Sequence, residues 1–170
     1  MKIGVISDTH DQQELILQCV QKLNEADVGL VIHCGDWVSP FILHSFKDLR
    51  MPIKGVFGNN DGDKFRHLKY SQDLNLDVTY EDRFLELLVD NRKIAVFHGD
   101  YQEIVQALVT CGTYDAVFHG HTHHKVNETV GKTLSLNPGS LMRKTRDEAL
   151  GASFAIYDTR TNLAEHYELI

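Results

Sequence analysis

The 170-residue sequence is short of three things: paired cysteines, clustered basic charge and long apolar runs. Its three cysteines, Cys19, Cys34 and Cys111, are odd in number, widely spaced and never in a C-x-x-C arrangement. That pattern excludes a disulfide framework and predicts reduced thiols. Lysine and arginine number 17 against 24 acidic residues, so the formal net charge is −7 with histidine neutral. No run of Lys or Arg offsets it, and neither a nucleic-acid face nor an anionic-membrane surface is expected. No stretch approaches the roughly 20 apolar residues needed to cross a bilayer. Residues 1–8 run straight into charged sequence and lack signal-peptide character. These absences predict a cytoplasmic protein.

What is present is ordinary for a globular chain: 42% apolar and 24% charged residues. The length suffices for a core without covalent staples, and the expectation is one domain spanning 1–170. Residues 2–7, 28–33 and 53–57 are short apolar runs with the profile of buried strands. Between them, 11–26 carries Leu15, Ile16, Cys19, Val20 and Leu23 at helical spacing. Ser39-Pro40 looks like the cap and first turn of a short helix over 41–49, and 63–74 reads as a weaker helix. The second half changes character. Strands 84–89 and 93–98 flank Asp90-Asn91, and strands 126–130 and 133–136 flank Gly131-Lys132, both hairpin signals. A helix over 102–109, a strand over 116–119 and a strand pair over 153–157 and 164–169 complete the reading. The expected class is α/β (α+β), with a parallel half followed by a mixed or antiparallel half.

Histidine carries the information. There are ten, and they gather in sharp motifs. Asp8-Thr9-His10, Gly35-Asp36, Gly58-Asn59-Asn60-Asp61, His98-Gly99-Asp100 and Gly120-His121-Thr122-His123 each follow a predicted strand. Loops at the carboxyl ends of strands are where such sheets bind ligands. Asp, His and Asn donors without thiolates suit Mn, Fe, Zn, Co or Ni better than Ca. Each motif alone has a plainer reading: a D-x-H as a helix cap beside a surface histidine, Gly35-Asp36 as a turn, Gly58–Asp61 as a loop. The metal-site reading rests on all five occurring together. The sequence contains no H-E-x-x-H helix, Walker A loop, G-x-S-x-G elbow or zinc-finger spacing.

The set D-x-H, G-D, G-N-x-D, H-G and G-H-T-H resembles the calcineurin-like metallophosphoesterase superfamily. The short length, the G-D-W-V-S-P segment from Gly35 and the Asn137-Pro138-Gly139-Ser140 loop resemble its small YfcE-type branch of prokaryotic phosphodiesterases. The resemblance implies a four-layer αββα sandwich of two mixed sheets flanked by helices, with a dinuclear metal site on loops at the strand C-termini. It implies two divalent ions per chain, with Mn expected first and Ni, Co, Zn, Fe or Mg as alternatives. By position, Asp8, His10 and His123 would bind one ion and Asn59, His98 and His121 the other, with Asp36 bridging. The residues carried over as catalytic are Asp36, Asn59, Asn60 and Asp61, the last as a supporting or capping side chain. The implied reaction is hydrolysis of a small phosphate ester, a diester before a monoester, by in-line attack of a metal-bridging hydroxide without a covalent intermediate. Nucleotide-type substrates are allowed for, and relatives suggest a homodimer or homotetramer. Two rival readings remain: a retromer-subunit-like scaffold of the same fold, and a phosphomonoesterase or nucleotidase.

One position departs from the broader superfamily, where many members carry G-N-H-[DE]. Here Asn60 replaces that histidine, and an amide is no general acid near neutral pH. His33, His44, His67 and His166 have no motif context and read as surface or satisfied core residues. His119 and His124 flank the ligand pair and read as packing or solvent contacts. The N-P-G-S loop reads as a structural turn where Ser140 could meet phosphate, and Arg143, Lys144 and Arg146 form a small basic cluster.

Overall fold

The computed structural model describes residues 1–143 and 151–170. Strand β1 (Lys2–Ile6) leads through helix α1 (Gln13–Glu25) to β2 (Leu30–His33), then through a 3-10 segment (Pro40–Phe46) to β3 (Ile53–Val56). Helix α2 (Lys64–Asp73) returns the chain to β4 (Val78–Glu81), parallel to β3. The second sheet follows: β5 (Phe84–Val89), β6 (Arg92–Phe97), helix α3 (Gln102–Thr110), β7 (Ala116–Phe118), β8 (Val126–Val130) and β9 (Thr133–Asn137). Finally β10 (Ser153–Asp158) and β11 (Leu163–Glu168) return to the first sheet.

The strand orders are β11-β10-β1-β2-β3-β4 and β5-β6-β7-β9-β8. In the first sheet β1 to β4 run parallel and β10 pairs antiparallel with β1. In the second, β6, β7 and β9 are parallel, and β5 and β8 are antiparallel edges. Both sheets are therefore mixed.

The layering follows from side-chain alternation along buried strands. Ile3, Val5, Leu30 and Ile32 point to a core shared with Val96, Phe118 and Leu136 of the second sheet. Ile6 and Val31, on the opposite face, pack with Leu15, Ile16, Val20 and Leu23 of α1 and with Ile42, Leu43 and Phe46. A third cluster joins Ala95, Phe97 and Val117 to Val105 and Val109 of α3. Three cores separate four layers, the expected αββα sandwich.

Two elements differ from expectation. The anticipated helix over 41–49 is a tighter 3-10 segment, capped by the Ser39 hydroxyl, which accepts from the Phe41 N–H. Its buried Pro40, Leu43 and Phe46 recur every third residue, which suits a 3-10 turn and not 3.6-residue spacing. Strand β4 was not anticipated: only Val78 and Tyr80 turn inward, and two half-buried residues on an edge give too little periodic signal. No helix among the described residues is long and apolar enough to cross a membrane, and all three cysteines are free.

Candidate metal centre

All five motifs begin within two residues of a strand's carboxyl end, after β1, β2 and β3 in one sheet and β6 and β7 in the other. The loops bond directly to one another. The Asp8 N–H donates to the Gly35 carbonyl (2.9 Å), His10 N–H to Asp36 (3.3 Å) and Gly120 N–H to His98 (2.7 Å). Turning so sharply places five of the seven candidate ligands on left-handed backbone: Asp8 (φ 51°), His10 (40°), Asp36 (60°), His121 (65°) and His123 (62°). Such conformations cost about 1–3 kcal/mol each and persist where surroundings over-determine them. Glycine permits the close approach. A Cβ on Gly120 would lie 1.9 Å from Ser7 Oγ, and one on Gly58 would lie 2.2 Å from Asp36 Oδ1.

Asp8, His10 and His123 present one donor atom each, all within 4.8 Å of one another. Asp8 Oδ1 lies 3.3 Å from His123 Nε2 and 3.8 Å from His10 Nε2. Asp8 Oδ1 and His10 Nε2 are buried without a hydrogen-bond partner. Buried polar atoms are normally satisfied, so two facing orphans beside a third donor fit a cation. The other Asp8 oxygen accepts from the Ser7 hydroxyl (2.5 Å) and the His121 N–H (3.0 Å), which fixes the carboxylate plane.

The second set is organised around Asn59. Its Oδ1 lies 3.0 Å from His98 Nε2 and 2.9 Å from His121 Nδ1. His98 Nδ1 contacts the Cys34 carbonyl at 2.9 Å. Both ring nitrogens of His98 thus face oxygen atoms, and a cation here would take the place of a proton on Nε2. Asp36 stands between the sets: Oδ2 is 3.5 Å from His10 Nε2, and Oδ1 is 3.4 Å from His98 Nε2. Asp8, Asp36 and His98 form a second group of donors within 4.8 Å.

The charges answer to one another. Burial alone raises Asp8 and Asp36. The imidazoles of His10 and His123 outweigh it for the first, which sits well below the carboxylate range. His98 and Asn60 do so for the second, held at about 2. Desolvation lowers His10 and His98, but Asp8 and Asp36 overcome it and leave both imidazoles raised.

All seven sequence-derived candidate ligands thus converge. Asn60 does too, as a support: its N–H (2.9 Å) and side-chain Nδ2 (2.6 Å) donate to Asp36. Asp61 holds loops in place. Both its oxygens accept from backbone N–H groups, those of Asp36 (3.0 Å), Val38 (2.7 Å) and Gly58 (2.6 Å), so neither faces the centre as a ligand. Helix α2 is capped by Asp63 instead. Ser140 is buried and donates to the Asp8 carbonyl at 2.9 Å, a buttress that leaves no hydroxyl for phosphate. Arg143 is exposed and donates to the Ile170 carbonyl; Lys144 and Arg146 lie outside the described residues.

His33 is a satisfied core residue. It stacks on Trp37 at 3.5 Å between ring centroids, bonds Thr9 and the Gly35 N–H, and is pushed well below the usual imidazole value by burial. His67 is buried among Trp37, Phe57 and Tyr80; His166 bonds the Asn137 carbonyl; His44 is exposed. His119 is buried against Ser135 Oγ, and desolvation lowers it to about 4. Sequence reasoning missed Ser7 and underrated Asn137. Buried Asn137 donates to the Gly120 carbonyl (2.9 Å) and Thr122 Oγ1 (3.1 Å), locking the histidine loop. Its only signal was its place before Pro138.

A family model described as the calcineurin-like phosphoesterase superfamily domain matches residues 1–162. A phosphodiesterase of Methanocaldococcus jannaschii is 38% identical over 139 residues, 82% of this chain and 83% of that protein. A solved archaeal phosphodiesterase superposes with a TM-score of 0.90 at 34% identity, covering 99% of this chain and 100% of the other. At lower identity the fold alone is shared. The Escherichia coli phosphoesterase YfcE gives a TM-score of 0.71 at 19% identity, covering 94% and 89%. Vps29 of Entamoeba histolytica gives 0.71 at 18%, covering all of both chains.

Proposed function

Because the chain belongs to the calcineurin-like phosphoesterase superfamily, we propose that it is a metal-dependent phosphodiesterase acting on a small phosphate ester. The observation that carries this reading is Asp36, whose two carboxylate oxygens face different donor sets at 3.5 and 3.4 Å. Asp8, His10 and His123 would hold one divalent ion and Asn59, His98 and His121 the other, with Asp36 between them. Imidazole, carboxylate and amide donors without thiolates suit divalent ions of the Mn, Fe, Co, Ni and Zn kind, and manganese is the first to test, then Ni, Co, Zn, Fe or Mg. When bound, the ions supply Lewis acidity toward phosphate oxygens and bring a water's pKa toward neutrality.

The chain's own residues define the rest. Hydrolysis by water, without a covalent enzyme intermediate, fits the buried hydroxyls and thiol beside Asp8 and Asp36, each of which is committed or desolvated. Ser7 donates to Asp8 Oδ2, Ser140 to the Asp8 carbonyl, and Thr9 to the Asp36 carbonyl. Cys34 is fully buried, and desolvation pushes its thiol well above the usual value. Asn60 holds Asp36 and has no proton to give a leaving group. The leaving oxygen therefore departs unprotonated or takes a proton from water, which favours diesters with good leaving groups over alkyl monoesters.

The test compares bis-p-nitrophenyl phosphate with the monoester across Mn, Ni, Co, Zn and Mg, with Asp36→Ala and Asn59→Ala as controls. Diester hydrolysis that collapses in both variants is the expected result. Activity surviving both rejects the centre, and an inactive but metal-loaded wild type favours a scaffold role.

A further inference from the structure

Arg83 lies just before β5, and extending the β5–β6 register by one pair beyond Phe84 and Phe97 sets it across from His98. On its other side, the Phe57 N–H donates to the Asp82 carbonyl at 2.9 Å, so residues 82 and 83 lie against the start of the Gly58–Asp61 loop. Arg83 thus sits where two donor-bearing loops meet, one from each sheet.

Its guanidinium Nη2 donates to Asp100 Oδ2, two residues beyond His98. The Asp100 side chain is only 12% exposed, while Arg83 keeps 34%. The second Asp100 oxygen is buried without a hydrogen-bond partner. A carboxylate withdrawn from water to hold one guanidinium fixes that group in place. Among the described residues Asp100 is the guanidinium's only hydrogen-bond partner, so most of its five N–H donors stay open to a ligand. The neighbouring cations differ: Lys64 and Arg66 pair with the exposed carboxylates of Asp82 and Asp63.

We propose that Arg83 is a specificity-determining residue that grips a second phosphate of the substrate, on the esterified alcohol, while the scissile phosphate lies at the Asp36 centre. This rests on the phosphodiesterase reading above. A planar fork matches phosphate oxygens bidentately, which a lysine ammonium does not. The substrate class is a phosphodiester bearing a further phosphate, as in a phosphorylated nucleotide ester.

The experiment uses the full chain loaded with Mn and two esters that share scissile bond and leaving group. These are thymidine 5′-(p-nitrophenyl phosphate) and its 3′-phosphorylated form. The wild type is expected to favour the second in kcat/KM by about tenfold or more, mainly through KM, as one charge-assisted contact implies. Arg83→Ala should bring the ratio near one, Arg83→Lys should restore part of it, and Asp100→Asn should lower it by less. A wild-type ratio near one, or an Arg83→Ala variant that loses both activities in proportion, overturns the assignment and leaves the phosphodiesterase reading standing. Wild-type inactivity on both esters overturns both. If Arg83→Ala does not fold, the ratios of Arg83→Lys and Asp100→Asn decide in the same way.

Discussion

The two donor sets differ in how their own atoms meet one another. Asp8, His10 and His123 leave Asp8 Oδ1 and His10 Nε2 buried without a hydrogen-bond partner. Asn59, His98 and His121 satisfy one another through a shared amide oxygen. A cation entering the first set satisfies two orphaned atoms once His10 gives up its proton, whereas one entering the second must also break hydrogen bonds worth about 1 kcal/mol each. The first set should therefore fill first and more tightly.

The largest test of that difference removes what joins the sets. Asp36→Ala should lower diester hydrolysis by at least about a thousandfold and cut bound metal from two ions to one or none, read by elemental analysis. Next come the sets separately. His123→Ala should weaken the tight step of a calorimetric Mn titration by on the order of a hundredfold. His121→Ala should instead erase the weaker step and spare the tighter one. Equal effects of the two would remove the asymmetry. Asp61→Ala, which strips a partner from three backbone N–H groups, should cost about 2–4 kcal/mol in denaturant melts.

Proton linkage sharpens the comparison further. His10 and His98 are raised in the folded, metal-free chain, so their protons stabilise it below about pH 6.5, and that contribution is lost as pH rises through the folded values. Metal must displace those protons. The gain in melting temperature on adding Mn should thus be larger at pH 8 than at pH 6, and calorimetry in buffers of different ionisation enthalpy should register proton release. The smallest effect is expected from Asn60→His. It should raise turnover by a few fold on esters with poor leaving groups and scarcely at all on nitrophenyl esters. A flat response across that series would count against the missing-acid account.

The cluster of candidate donors was legible in the sequence because each contributor is a short Asp, His or Asn motif following an apolar strand. Strand ends are where chain direction and side-chain chemistry coincide. What was not legible depends on closure between distant segments. Ser7 looks like the last residue of a strand until the loop carrying His121 comes to rest on Asp8. Asp61 reads as a supporting or capping side chain, and what it supports emerges only where three amides converge on it. Arg83 gains its interest only from the register of β5 on β6 and from the Phe57–Asp82 bond, which set it beside two loops distant in sequence. The tighter geometry of the Pro40–Phe46 segment was present in its three-residue spacing and went unread.

The place of β10 has a consequence for how the molecule assembles. Lys2 pairs with Asp158 and Val5 with Ala155, so β1, made early by the ribosome, waits for a neighbour made much later. Contacts this remote in sequence are slow to form. Until β10 docks, β1 is an unprotected edge able to recruit other strands. Chaperone dependence and aggregation during synthesis should therefore track the lag before β10 emerges.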